Sequence, residues 1–189
     1  MPDDLTSPPA QLSRTRVAVR AAVCVAVFAL AGALGGVLWR HLWSPVTGVV
    51  QQHQWFPTPY DAGEQHDFNG DAWYFIVALA SGIVLAAVAV LVMRGAELVT
   101  LLAVAVGSVV AGLLMWRVGL VGNPADPVQL AKHAADGTKL PSRLYLANAV
   151  PLTAYPLGAL GTLMSVFLTT GHPAQRAVGE AGLEPATDG

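Results

Sequence analysis

Four long apolar runs punctuate the chain, at residues 17–39, 72–93, 98–116 and 147–169. Each has on the order of 19–23 residues, enough at ~1.5 Å rise per residue to cross a hydrocarbon core of ~30 Å as a helix. None carries a charge near its centre, where Arg, Lys or Asp costs roughly 2.5–3.5 kcal/mol. Only helices or closed barrels satisfy the backbone in lipid, and these runs are too long and too continuous for barrel strands. The pattern predicts an all-α membrane fold. A four-transmembrane-helix bundle occupies residues 17–171, with disordered cytoplasmic tails at 1–16 and 172–189. A basic stretch (Arg14, Arg16, Arg20) leads the first run, as in a signal peptide. The run nevertheless exceeds the usual ~7–15 apolar residues and ends in bulky Leu38-Trp39-Arg40, so it reads as a retained helix.

The polar intervals at 40–71 and 117–146 are long, whereas the one between the second and third runs is a tight turn at Arg94. Both long loops therefore fall on one side of the membrane, where they predict a small extracytoplasmic cap. Residues 46–56 are rich in β-branched and aromatic types and break at Pro57 and Pro59, which suggests a short β-hairpin against residues 66–68. In the second loop Asp126 can cap a short helix, Pro127 suits its first position and Gly137 its end. That helix is expected at 128–135. Loops of this size without a disulfide cannot hold a core alone and need the helices, or a partner, as a floor.

Basic residues flanking the runs divide evenly. Arg14, Arg16, Arg20, Arg94 and Arg176 lie on one side, and Arg40, Arg117, Lys132, Lys139 and Arg143 on the other. The cluster ahead of the first helix usually dominates. Both termini are accordingly placed in the cytoplasm, in a multi-pass protein of the plasma membrane.

Composition supports the membrane class and narrows the chemistry. Residues are 54% hydrophobic and 12% charged, against roughly 25% charged in soluble domains. Net charge is −2 and no Lys/Arg stripe exists to follow a phosphate backbone, so no nucleic-acid partner is expected. Cys24 is the only cysteine. That excludes an intramolecular disulfide, a CxxC redox site, a thiolate-zinc site and quinone-linked disulfide formation. His53, Glu64, His66 and Asp67 could be metal ligands, but their spacing matches no zinc signature and reads as loop polarity. With no ionisable residue at mid-membrane, a proton or ion pathway lacks its usual marker. Pro151 and Pro156 predict a bend in the fourth helix. No catalytic residue, cofactor or metal site is expected.

Two runs end alike. Ala31-xxx-Gly35-xxx-Trp39-Arg40 matches Ser108-xxx-Gly112-xxx-Trp116-Arg117. Trp favours the headgroup boundary, and small residues four apart form a face along which helices approach closely. Similar faces occur at Ala78, Gly82 and Ala86 and at Ala154 and Gly158. The chain thus reads as two hairpins in a weak parallel repeat, with small-residue faces available for a protein partner or a second copy. Arg40 and Arg117, with Trp39 and Trp116, form the candidate contact with lipid head groups or a partner, since guanidinium offers a planar donor fork to phosphate oxygens. For both arginines interface anchoring is the preferred reading, with head-group recognition as the alternative. Asp67 and Asp71 are candidates to pair with Arg40 or Arg117, and Arg143 beside Tyr145 is a further contact candidate.

Trp43-Ser-Pro45, Thr47-Gly-Val-Val50, Asp67-Phe-Asn-Gly-Asp71 leading into Trp73-Tyr-Phe75, and Trp116-Arg117-Val-Gly119 carry a resemblance. With a proline in the fourth helix, these motifs resemble an uncharacterised family of four-span actinobacterial membrane proteins of unknown function. The resemblance spans residues 17–171. It implies a polytopic protein of the cell envelope and no activity. The expectation is a non-enzymatic accessory or scaffold component among membrane lipids. The alternative is a lipid or small-molecule transport component with an anionic head-group site at the outer mouth of the bundle.

Overall fold

The structure, a computed structural model, describes residues 10–59, 61–93 and 97–170. Its elements are α1 (Ala10–Leu42), β1 (Thr47–Gln51), β2 (Gln54–Pro57), α2 (Asp61–Val92) and α3 (Glu97–Gly119). They continue with α4 (Pro127–Ala131), β3 (Lys139–Pro141), a 3-10 turn (Val150–Thr153) and α5 (Ala154–Thr170). Four segments are long and apolar enough to cross a membrane: Thr15–Leu42, Phe68–Val92, Leu98–Gly119 and Val150–Thr169. They coincide with the four runs. Helix α1 starts at Ala10, inside the expected tail. Residues 1–9 and 171–189, with most of the predicted tails, lie outside the described residues.

Side-chain size is sorted inside out. Bulky aliphatic residues such as Leu30, Leu34, Val84, Leu91 and Leu102 face outward, while the centre holds Ala78, Ala86, Ala111, Ala154 and Ala159 around a few large rings. A chain folding in water would bury the leucines. In hydrocarbon, large apolar groups lose nothing by facing the solvent, and helices gain from close backbone approach through small residues.

That approach is made in two parallel pairs: α1 packs chiefly along α3, and α2 along α5. On α1 the close contacts are Gly32, against the Ala111 backbone, and Gly36, where an added Cβ would sit 2.5 Å from Met115 O. On α2 a Cβ at Gly82 would sit 2.6 Å from Tyr155 O, and on α5 one at Gly158 would sit 2.5 Å from Leu79 O. The expected small-residue faces are thus occupied within the chain. Two details differ from expectation. The tight face of α1 is Gly32 and Gly36, one position on from Ala31 and Gly35. Gly112 faces Leu152, Tyr155 and Tyr74 rather than α1.

The two long loops join in one antiparallel sheet of order β2-β1-β3. The hairpin expected between 46–56 and 66–68 forms instead within the first segment, Val49 opposite Phe56 and Val50 opposite Trp55. Gln52 and His53 turn it with φ of 51° and 61°, the sign that two-residue hairpin turns require. Residues 66–68 are helical, because α2 begins directly after the Pro57–Pro59 break. The third strand comes from the second loop, with Thr47 opposite Pro141 and Val49 opposite Lys139. Asp126 accepts from Val128 N at 3.0 Å and Pro127 opens α4, as the sequence predicts. The helix stops at Ala131 rather than near 135, since the chain must turn back to the sheet. Gly137, at φ +86°, donates to Val50 O at 2.8 Å, and Val50 N donates to Thr138 O at 2.9 Å.

Candidate functional site

The sheet-side ends of α1 and α3 carry the paired Trp-Arg motifs, and the structure gives the two pairs different surroundings. Trp39 is fully buried. Its Nε1 donates to Gly70 O at 2.8 Å, and its ring meets Tyr74 edge-on at 5.1 Å. Trp39 thus ties the end of α1 to the start of the α2 span. Trp116 is half-buried, and the Arg117 guanidinium lies 5.0 Å over its ring. That side chain is exposed and stacked on an aromatic face, an arrangement worth ~0.5–1 kcal/mol at exposed sites.

Arg40 is also exposed, but its guanidinium is directed at the chain itself. It donates to Val121 O and, at 3.2 Å, to Gly122 O. These carbonyls belong to the turn that follows α3, so a cation sits where the helix macrodipole is negative. Beside it lies an open pocket of about 380 Å³ lined by Val37, His41, Val118 and Val121.

Asp71 is bonded to the start of the fourth segment. It accepts from Ala147 N at 3.2 Å and from Asn148 Nδ2 at 3.4 Å, fastening the start of the fourth segment to α2. The reason is topological: α2 and α5 run side by side, so their sheet-side ends meet each other. The side chain of Asp67 lies outside the described residues, as do those of Glu64 and His66. Arg143 faces Asp126 at 3.4 Å, a half-exposed pair of the kind worth ~0–1 kcal/mol. It helps hold the α4 turn. His53 is exposed, and its backbone N–H points at Asp136 Oδ1 at 3.5 Å. Among the described residues no group of three His, Cys, Asp or Glu is placed to hold a metal ion.

Two residues missed in the sequence stand at the centre. Tyr74 and Tyr155 are fully buried. Tyr74 Oη donates across the helices to Gly112 O at 2.7 Å. Tyr155 packs its ring 6.2 Å from Phe28, and Ser81 lies beside its hydroxyl. Tyr74 sits in Trp73-Tyr-Phe75 and points inward at Gly112, whose missing side chain leaves room for its hydroxyl. The pair offers hydrogen bonding in a dry interior and no nucleophile–base arrangement.

These features give a helical protein with four spans suited to a membrane and a small sheet that joins its two loops. No family model matches the chain, nor does any curated protein or solved structure, so the resemblance to the four-span family rests on its short motifs alone.

Proposed function

We propose that the chain is a plasma-membrane protein of the four-span actinobacterial type, with both termini cytoplasmic, and that it acts as a non-catalytic scaffold or accessory component of the cell envelope. On this reading the three-stranded sheet is an extracytoplasmic cap that presents a docking surface. The observation that carries it is the bonding between the loops. β1 pairs with β3, Val46 and Ser142 exchange two hydrogen bonds of 2.9 and 2.8 Å, and Trp55 Nε1 donates to Leu140 O at 3.0 Å. Two flexible loops have been made into one ordered platform. It exposes apolar side chains outside the spans: Phe56 on β2, and Val128 and Leu130 on α4. Apolar groups shown to water in one neighbourhood mark contact sites more often than chance. The small-residue helix faces are already filled by the chain's own helices, which leaves the platform for a partner.

A photo-crosslinking residue placed at Phe56 or Val128 in intact cells tests this. The expected result is one discrete protein adduct from both positions, and lipid adducts from the outward-facing Val84. Absence of any protein adduct from Phe56 and Val128 overturns the docking role. The alternative, a lipid or small-molecule transport component, is favoured by the open pocket beside Arg40. Lipid adducts from Val121, at that pocket, would support it over the scaffold.

A further inference from the structure

The pairing of α1 with α3 and of α2 with α5 leaves α1 and α2 apart over the half of the molecule that holds the start of α1. Between them runs a groove of about 210 Å³, walled by Val23, Cys24 and Val27 on one side and by Leu85, Val88 and Val92 on the other. Phe28, buried against Gly107, closes its deep end, and Arg20 stands at its mouth. From Arg20 to Phe28 the groove follows α1 for about 12 Å at 1.5 Å per residue. A single leaflet of hydrocarbon is about 15 Å deep, half the ~30 Å core.

We infer that this groove holds one acyl chain of an anionic phospholipid, with the lipid phosphate on Arg20. The inference rests on the membrane-spanning reading above and goes beyond it, since it concerns the leaflet opposite the outer loops. Three observations carry it. The side chains that form the walls are apolar, which suits a hydrocarbon chain and offers nothing to a soluble anion. The mouth is cationic: Arg16 and Arg20 are both exposed and lie four residues apart, hence on one helix face. Among the described residues no carboxylate pairs with either of them; the ion pair there is Arg143–Asp126. On the spanning reading the groove also begins close to the membrane boundary, since Arg20 is five residues, about 7.5 Å, inside the span that starts at Thr15. A guanidinium on a flexible stem reaches back from there to the boundary, and its fork matches a phosphate. A zwitterionic phosphatidylcholine offers the same phosphate behind a repelling choline cation, so the site prefers phosphatidylglycerol.

The test uses the full chain in nanodiscs of mixed phosphatidylglycerol and phosphatidylcholine with identical acyl chains. Lipids retained after gentle extraction are counted by native mass spectrometry. The wild type is expected to keep one phosphatidylglycerol in preference to phosphatidylcholine. Arg20→Gln should lower that preference about fivefold, the effect of one cation near an anionic surface. Val88→Trp, a change at an exposed position that fills the groove, should remove the retained lipid of either type. Lys132→Gln, an exposed cation at the other end of the molecule, should change nothing. Equal preference in wild type and Arg20→Gln overturns the site, as does an equal fall with Lys132→Gln, which would indicate general charge attraction. Failure of the spanning reading is distinguishable: the protein would then be recovered from the aqueous fraction without detergent, before any lipid is counted.

Discussion

Gly36→Ala should destabilise the protein, although the same change improves an isolated helix. An alanine Cβ at residue 36 would sit 2.5 Å from Met115 O, where ordinary contact begins at 3.4 Å. The obstacle is the backbone of α3, which cannot rotate away as a side chain could. Helices α1 and α3 must separate by about 0.9 Å, and a gap of 0.5–1 Å forfeits a quarter to a half of each dispersion well across the interface. Overpacking of this kind costs typically ~1–3 kcal/mol. Against it stands the helix propensity of Ala over Gly, ~0.8–1.0 kcal/mol. The net expectation is a loss of about 0–2 kcal/mol. Gly161 supplies the internal comparison, since nothing lies within 4 Å of a Cβ there. Gly161→Ala should therefore be neutral or stabilising by up to ~1 kcal/mol. Equilibrium unfolding in mixed detergent micelles, with each variant beside the wild type, measures both. The opposite signs are the content of the prediction. If both substitutions shift stability in the same direction, the close parallel packing of α1 on α3 is wrong.

Trp39→Phe removes a buried donor to Gly70 O and part of a ring that packs on Tyr74, and should cost about 1–3 kcal/mol. Trp116→Phe, at a half-buried ring, should cost less than half as much in the same titration. Tyr74→Phe deletes the bond to Gly112 O, and interhelical bonds of this type average ~0.6 kcal/mol in membranes, so a small destabilisation is expected from the same measurement. Replacing Gln52 and His53 by Asn and Gly relieves two non-glycine residues of positive φ. Each costs roughly 1–2 kcal/mol in that region, so the variant loop should resist limited proteolysis for longer. Asp126→Ala loses the cap on α4 and the partner of Arg143, and should speed cleavage within residues 127–138 in line with a loss of ~1 kcal/mol.

The helices were legible because the signal is long and redundant. Some twenty uncharged residues in lipid admit little other than a helix, and four such runs appear in the sequence where the structure has them. The Asp126-Pro127 start of α4 was legible for a local reason, since a cap and its helix lie within one turn. The sheet was only half legible. Residues 46–56 carry the β-branched and aromatic composition of strands, but nothing local states that the run folds back after Gln51. Pairing with Lys139–Pro141 joins positions about ninety residues apart and depends on where the helices place the two loops. The same dependence misplaced the hairpin partner. Residues 61–71 hold Gly63 and Gly70 among polar side chains, a composition that reads as loop, and α2 continues through it because its lower part is already fixed by packing on α5.

The matched Trp-Arg ends show why the site was harder to read than the fold. Both dipeptides stop an apolar run, so the sequence assigns them one role at the membrane boundary. Their surroundings diverge because the chain beyond them diverges. After Arg117 the backbone turns at Gly122, whose φ is +75°, and presents two carbonyls beside α1, where Arg40 takes them. After Arg40 the chain passes through residues 43–46 into β1, and among the described residues Arg117 is placed against the neighbouring Trp116 ring. Likewise Gly119, small and next to α1, makes the space that the Trp39 ring fills; no glycine of α1 stands opposite Trp116 in the same way. Equal motifs therefore become a buried strut with a capping cation on one helix and an exposed stacked pair on the other. The guanidinium with donors left over is that of Arg117, at the sheet-side end of α3.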